Sequence, residues 1–176
     1  MKKVTSLAKF SFIALALAFV SCNKDDDSVA EPVNNTPDSA SYITGKVDGA
    51  DFSSIIFGTS TAQCSRIGTG SEQLITILAG DMSANSIVVT LAGVSNTGEI
   101  AVNKNTDSFL NYSPGTGGVA YATSADCDNA TGTINVTHID GTKVEGTFSF
   151  TGVNTDNCGG GSKTVTEGSF RGTYQQ

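Results

Sequence analysis

Five oxygen-bearing side chains in the second half of the chain could bind a metal ion. They stand in two short clusters and are Asp126, Asp128, Asn129, Asp156 and Asn157. Calcium takes about six to eight oxygen ligands, and carboxylate and amide oxygens are among those it prefers. The spacing does not match an EF-hand loop, and the same residue types are common in surface turns because their side chains bond nearby backbone amides. Calcium is therefore the one cofactor that the residues suggest, with turn formation as the alternative.

Few residues could carry acid–base catalysis. The chain has a single histidine, His138, and neither a Gly-x-Ser-x-Gly nor a His-Glu-x-x-His motif. Paired carboxylates such as Asp48 and Asp51 could hydrolyse a glycosidic bond, but turns also attract aspartate. We therefore predict no catalytic residue. A hydrolase of polysaccharide or peptide with an unidentified carboxylate pair is kept as an alternative.

The chain begins with a segment typical of a secretory signal. Three lysines provide a positive start, and an apolar run from residue 10 to residue 20 follows, interrupted only by Ser11. This run is too short to cross a bilayer as a helix, which needs about 20 residues, but it has the length of the apolar part of a signal peptide. We therefore expect residues 1–21 to be a cleaved signal peptide.

The residues after the apolar run resemble the lipobox of bacterial lipoproteins. In that family a small residue precedes a cysteine that is lipidated and becomes the new N-terminus, and Ser21 and Cys22 occupy these places. Phe19 stands where the family usually has leucine, and ordinary cleavage after Ala18 is the alternative. The resemblance implies that Cys22 carries lipid and anchors the chain to a membrane. A thiol without such a role would be unexplained in an oxidising compartment.

An acidic run directly after this cysteine resembles the surface-export signal of lipoproteins from Bacteroidota. The residues that match it are Lys24, Asp25, Asp26 and Asp27. The resemblance implies a lipid-anchored protein of the outer membrane that faces the cell exterior. The alternative is an acidic tether that carries no targeting signal. In both cases the acidic side chains repel anionic lipid headgroups.

Residues 22–41 have the composition of a disordered tether. They are rich in Asp, Asn, Ser and Thr, and such a segment buries too little apolar surface to offset chain entropy. As a flexible coil it would span on the order of 25 Å. Removal of residues 1–21 leaves 7 basic residues (10 − 3) against 17 acidic ones, a net charge of −10. We therefore predict that nucleic acid is not a partner, because binding it requires clustered Lys and Arg.

Residues 42–176 have the pattern of a single all-β domain. Short runs of β-branched and aromatic residues alternate with Gly, Asn, Asp and Ser, without the period of an ordinary amphipathic helix. The predicted fold is an antiparallel β-sandwich, with a closed β-barrel as the alternative. The predicted strands are 42–47, 52–60, 73–79, 86–92, 99–102, 109–112, 119–123, 131–139, 143–151 and 163–173.

The strands 131–139 and 143–151 can be read as a hairpin with a defined register. A three-residue loop with a bulge pairs Ile134 with Phe148 and His138 with Val144, so that apolar residues share one face. A two-residue loop would mix the apolar and polar faces, since a slip of one residue turns every side chain over. We therefore predict the three-residue loop.

The same register brings two cysteines to one end of the hairpin. Cys127 falls opposite Thr155, three residues before Cys158, and we predict a Cys127–Cys158 disulfide. Cys64 is then left over, either free and buried or competing for the bond. The spacing excludes a zinc ribbon, because the chain has no Cys-x-x-Cys and only one histidine.

The ends of the domain resemble a β-rich lipoprotein family of unknown function in Bacteroidota. The resemblance rests on "ITGKVDGADFSS", "GTINVTHIDGTKVEGTFSFTG" and "KTVTEGSFRGTY". It implies the all-β architecture and the envelope location, and it implies no activity. The motif glycines fit bulges or close approaches of strands, and the phenylalanines fit a core. Glu167 fits neither role.

These observations favour a membrane-anchored envelope lipoprotein that binds a partner without catalysis. Its expected partners are the membrane, through lipid on Cys22, and a glycan, a peptide or a neighbouring envelope protein. The scarcity of His, Trp and Arg favours this function over the hydrolase. A purely structural envelope component is a further alternative.

Overall fold

The structure is a computed structural model that describes residues 40–115 and 117–174. The predicted signal peptide, the lipidation site Cys22 and the export signal Lys24–Asp27 lie outside the described residues, as does most of the predicted tether. Among the described residues, no helix is long and apolar enough to cross a membrane.

The described chain is built almost entirely of strands, which confirms the all-β prediction. One short 3-10 turn, Gly70–Glu72, accompanies them. The strands are β1 (Tyr42–Val47), β2 (Ala50–Ser53), β3 (Ile55–Ile56), β4 (Thr59–Ser60), β5 (Gln63–Ile67), β6 (Leu74–Gly80), β7 (Ser86–Ala92), β8 (Gly98–Asn103), β9 (Phe109–Ser113), β10 (Tyr121–Ala122), β11 (Thr131–Ile139), β12 (Lys143–Asn154) and β13 (Ser162–Thr173).

Eleven of these strands form one antiparallel sheet that curls into two layers. The first layer has the order β8-β11-β12-β13-β1-β2, and the second has the order β10-β9-β7-β6-β5. The long strand β12 joins the layers, because it pairs with β11 over most of its length and with β10 at its end. The remaining strands, β3 and β4, pair only with each other.

The core lies between the two layers and includes side chains from both. Ile75 and Ile77 of β6 and Phe170 of β13 are fully buried in one apolar cluster with Val144 of β12. Each such side chain contributes about 1.5–3 kcal/mol relative to an exposed one. This burial of alternate residues fixes which faces of the strands point outward.

Glycines on β12 and β13 make room for phenylalanine rings of neighbouring strands. A side-chain carbon at Gly146 would lie 2.8 Å from the ring of Phe170, and one at Gly168 would lie 2.7 Å from the ring of Phe148. Aromatic rings commonly cover glycines of an adjacent strand. The motif glycines and phenylalanines therefore serve packing, as their positions predicted.

The predicted hairpin of β11 and β12 is confirmed over most of its length. Ile134 lies opposite Phe148, but a bulge at Thr137 places His138 opposite Glu145 and Ile139 opposite Val144. The predicted pairing of His138 with Val144 is therefore wrong. The extra residue lets Ile139 pack against the core, while the half-exposed His138 bonds the carboxylate of Asp140 at 2.8 Å.

The segment predicted as a single strand over 52–60 is interrupted twice. β2 ends at Ser53, and the small hairpin of β3 and β4 turns at Phe57 and Gly58, whose φ angles are +50° and +78°. The prediction also missed β5, a polar strand at the edge of the sheet. Because β5 has exposed residues at four of its five positions, its sequence carries little apolar signal.

Candidate binding site

The cysteines are arranged as the hairpin register predicted. Cys127 and Cys158 form a disulfide with their Cα atoms 5.7 Å apart. Cys64 is free and buried, and burial raises the pKa of its thiol to about 11. The predicted bond therefore closes a loop between two turns of the domain, and the odd cysteine is part of the core.

The five residues of the predicted calcium site lie near this disulfide, and a lysine lies beside two of them. The Nζ of Lys104 lies 2.7 Å from Oδ1 of Asp128 and 3.7 Å from Oδ1 of Asp126. Hydrogen bonding to this lysine lowers the pKa of the Asp128 carboxyl. Within residues 40–115 and 117–174, no three His, Cys, Asp or Glu side chains are grouped to hold a metal ion. Calcium binding here stays a prediction.

Two backbone amides of this region are bonded by a residue outside the five. Oδ1 of Asn154 accepts hydrogen bonds from the backbone N–H groups of Asp156 and Asn157. Asparagine in such a turn mimics a backbone acceptor. This agrees with the alternative interpretation, in which the polar residues of the region stabilise turns.

The carboxylates considered for hydrolysis lie in a cleft of about 210 Å³ at the turn between β1 and β2. Asp48 occupies this turn with a φ of +49°, and its Oδ2 lies 2.7 Å from Nζ of Lys163. The hydrogen bond from Lys163 lowers the pKa of the Asp48 carboxyl, so Asp48 stays ionised and is a poor proton donor. Asp51 and Asp81 also line the cleft, and both oxygens of Asp81 bond groups of its own turn.

The tyrosines of β9 and β10 do not form an exposed aromatic platform. The rings of Tyr112 and Tyr121 lie 6.5 Å apart with a tilt of 33°. Only 7% of Tyr112 is exposed, and burial raises the pKa of its phenol. This pair therefore packs at the end of the core and offers little surface for stacking on a sugar ring.

An open surface feature of the domain is a shallow trough on the outer face of the first layer. It consists of two adjoining depressions of about 440 and 320 Å³ that share Thr133 and Ser149. We call it the hydroxyl trough, because nearly all its outward side chains carry hydroxyl or amide groups. These residues are Thr131, Thr133, Asn135, Thr147, Ser149, Thr151, Thr164, Thr166 and Ser169.

The sheet positions these side chains in rows. Thr133 lies opposite Ser149, Asn135 lies opposite Thr147, and Thr147 lies opposite Ser169 on the other side. Directly opposed residues have Cβ atoms about 4.5–5.5 Å apart. From Thr147 to Ser149 and on to residue 151, the trough runs for about 13 Å along β12. It is therefore a fixed, regular array of donors and acceptors.

The hydroxyl and amide groups of the trough are open to a ligand. Asn135, Thr147, Ser149 and Thr166 are exposed. In the described part of the chain their side chains make no hydrogen bond to protein. The backbone groups beneath them are paired within the sheet, because β12 has neighbours on both sides. A ligand in the trough would thus be recognised by side chains.

Two carboxylates border the trough. One of them belongs to Glu167, the residue to which the sequence alone assigned no role. Glu167 lies at a bulge of β13 with a φ of +53°, and its carboxylate pairs with Nζ of Lys46 at 2.7 Å. Glu99 of β8 lines the same depression. Hydrogen bonding to Glu167 raises the pKa of the Lys46 ammonium. The bulge directs the Glu167 side chain to the rim of the trough. The floor of the trough therefore carries no charge.

The sequence contained a signal for this site. Thr, Ser and Asn occupy alternate positions in β11, β12 and β13, in the segments "TGTINVT", "GTFSFTG" and "KTVTEGS". Alternation shows only that these residues share a face of each strand. The order β11-β12-β13 in the sheet was needed to show that the three faces form one surface.

Comparison with known proteins identifies a family. A family model described as a domain of unknown function (DUF6252) matches residues 40–172, which include all the strands of the trough except the last residue of β13. No curated protein and no solved structure matches the chain. The match covers 133 of the 176 residues (172 − 39). The chain therefore belongs to the DUF6252 family.

Proposed function

We propose that this chain is a lipid-anchored envelope protein that binds a neutral glycan in the hydroxyl trough. The observation that carries the proposal is the uncharged array of hydroxyl and amide groups over three paired strands. Such groups match the alternating donors and acceptors of a sugar chain. Anchoring at the cell surface is supported by the resemblance of Ser21 and Cys22 to a lipobox and of residues 24–27 to an export signal.

Several features favour a glycan over the other ligands considered. A peptide that adds a strand needs an open sheet edge, whereas β12 is central. An anionic ligand would meet Glu99 and Glu167 at the rim, whereas none of the described residues that line the trough is Lys or Arg. The nearby Lys46 is paired with Glu167. A neutral ligand with many hydroxyl groups needs neither an open sheet edge nor a cation at the rim. The trough has no exposed ring, so hydrogen bonds supply the recognition.

A glycan array followed by calorimetry tests the binding. Thr147→Val and Thr133→Val each remove a hydroxyl that bonds the ligand. Each is expected to raise Kd by about three- to tenfold, equivalent to a loss of roughly 0.5–1.5 kcal/mol of binding free energy per hydrogen bond. Thr76→Val on β6 removes a half-buried hydroxyl from the second layer and serves as the matched control. Equal affinity of all three variants and the parent would contradict binding in the trough.

The anchor is tested separately by mass spectrometry of the N-terminal peptide from the native protein. A peptide that begins at Cys22 and carries acyl chains is expected. Cys22→Ser should then release the protein from the membrane fraction, because the acyl chains supply the anchoring free energy. An unmodified thiol, or a chain that begins upstream of residue 22, would refute the anchor.

A further inference from the structure

The tip of the β3–β4 hairpin exposes an aromatic ring. Phe57 is 92% exposed, more than any other large apolar side chain that is described as exposed. The hairpin stands apart from the main sheet, since β3 and β4 pair only with each other among the described strands. Its ring therefore contributes little to the core of the domain.

The backbone at this position disfavours the residue that it carries. Phe57 has a φ of +50° and the following Gly58 a φ of +78°, which is the conformation of a two-residue turn that normally selects Asn-Gly. A bulky side chain in the left-handed region is a genuine outlier. Phe57 has an unfavourable backbone conformation, and its ring does not pack in the core to compensate for it. This combination indicates that the ring contacts something outside the domain.

The hairpin that carries the ring is itself uncharged. Ile55 and Ile56 precede it and are half-buried, and no charged residue occurs from Phe52 to Ser65 in a chain with 17 acids. The turn after β6 adjoins the base of the hairpin, because Oγ1 of Thr61 bonds the carbonyl of Gly80. This turn carries the exposed Met82 and also Asp81, whose carboxylate bonds groups of its own turn. An uncharged tip of this kind suits the interface of a lipid bilayer.

The base of the hairpin contacts the first strand of the domain near its start. The backbone N–H of Ile43 donates to Oγ of Ser54 at 2.9 Å, and the N–H of Ser54 donates to the carbonyl of Ile43 at 3.0 Å. Ile43 is two residues from the end of the predicted tether at residue 41. Phe57 follows Ser54 by three residues and so lies within about 11 Å of it. The base of the hairpin therefore lies beside the start of β1, the strand that follows the predicted tether in the sequence.

We propose that the Phe57 tip inserts into the lipid bilayer that holds the acyl chains of Cys22. This inference rests on the proposed anchor, which brings the tip within reach over a tether of on the order of 25 Å. A single ring binds a bilayer weakly, but tethering raises its effective concentration at the surface. The occupant is a neutral, zwitterionic lipid surface, because the acidic chain would be repelled by anionic headgroups. The domain then rests against the membrane.

The absence of tryptophan makes a direct test available. In the mature lipidated chain, Phe57→Trp introduces the only tryptophan. After reconstitution into phosphatidylcholine vesicles, its emission is expected to shift to shorter wavelength and to be quenched by lipids brominated on their acyl chains. Ile67→Trp places the ring at another exposed position, 67% exposed, on β5 and serves as the matched control, which should stay unshifted and unquenched.

The outcomes separate insertion from anchoring. The mass of the N-terminal peptide, measured on the same sample, reports whether Cys22 is lipidated. A lipidated Phe57→Trp chain whose emission is no more shifted or quenched than that of the Ile67→Trp control overturns insertion and leaves the anchor intact. A chain without lipid overturns both. A shift that grows with protein concentration in the absence of vesicles also overturns insertion, because it assigns the tip to a second copy of the chain.

Discussion

Individual residues in this domain hold backbone conformations that their side chains disfavour. Asp48, Phe57, Ala84 and Glu167 have positive φ angles without being glycine. Asp48 is suited to such a position because its carboxylate accepts the N–H of Thr164 and pairs with Lys163. Phe57 has no comparable compensation, which makes it the position where stability and function are expected to conflict.

Replacing Phe57 should therefore stabilise the fold. Phe57→Asn places a residue that tolerates the left-handed region at a φ of +50°, and it removes a ring that is already 92% exposed. We expect a gain of about 1 kcal/mol, or roughly 4 °C in Tm for a domain of this size, measured by thermal unfolding. Ile67→Asn, at an exposed strand position, is the control and should give no gain. A lower Tm for Phe57→Asn would show that the ring packs within the domain.

At the scale of elements, the sequence predicted strands best where apolar alternation was strong. The bounds of β1, β7 and β11 agree with the prediction, because each buries one face in the core. The hairpin β3–β4 was missed since its turn is Phe-Gly, and a phenylalanine there gives no turn signal. The bulge at Thr137 was predicted to exist but not to fall there, because only the packing of Ile139 decides its position.

The disulfide is a covalent link between two loops at one end of the sheet, because β10 and β11 both pair with β12. Cys127 lies in the loop that packs Ala125 and Ala130 against Val153, and Cys158 lies between β12 and β13. A bond across a separation of 31 residues removes chain entropy from the unfolded state worth about 3–4 kcal/mol.

Replacement of both cysteines tests this contribution. Cys127→Ser with Cys158→Ser should lower the free energy of unfolding by about 3–4 kcal/mol, measured by urea denaturation. A reducing agent should destabilise the parent to the same extent and leave the double variant unchanged. A parent that is insensitive to reduction would contradict the role assigned to the bond.

At the scale of the whole molecule, the candidate site emerges only from the topology. The threonine-rich faces of β11, β12 and β13 are separated in the chain by turns, and their adjacency depends on β12 pairing with both β11 and β13. The pattern of each strand predicted an outward polar face, but it could not show that the faces are contiguous. The position of the β3–β4 hairpin beside the start of β1 likewise depends on the contact of Ser54 with Ile43.

The charge of the molecule gives a final prediction, on the dependence of stability on pH. Hydrogen bonds from Lys163 lower the pKa of Asp48, and the backbone N–H of Thr142 lowers that of Asp140. In the unfolded chain the pKa of these carboxyls is near 3.8, so they bind protons at a higher pH than they do in the folded protein. The stabilisation is therefore complete above the unfolded pKa and is lost as the pH falls through the folded values.

Urea unfolding at pH 7 and at pH 3 should accordingly show a less stable protein at pH 3. Asp48→Asn keeps the turn, since asparagine tolerates its φ of +49°, but it removes one titrating group, so its loss of stability between these two values should be smaller. Protonation also relieves the repulsion among the acids of a chain with 17 Asp and Glu, and this relief acts on both proteins alike. The difference between the two proteins thus isolates the ionised Asp48 carboxylate, whose pKa is lowered by the bonds from Lys163 and Thr164. An equal loss in both would show that its ionisation contributes nothing to stability between these pH values.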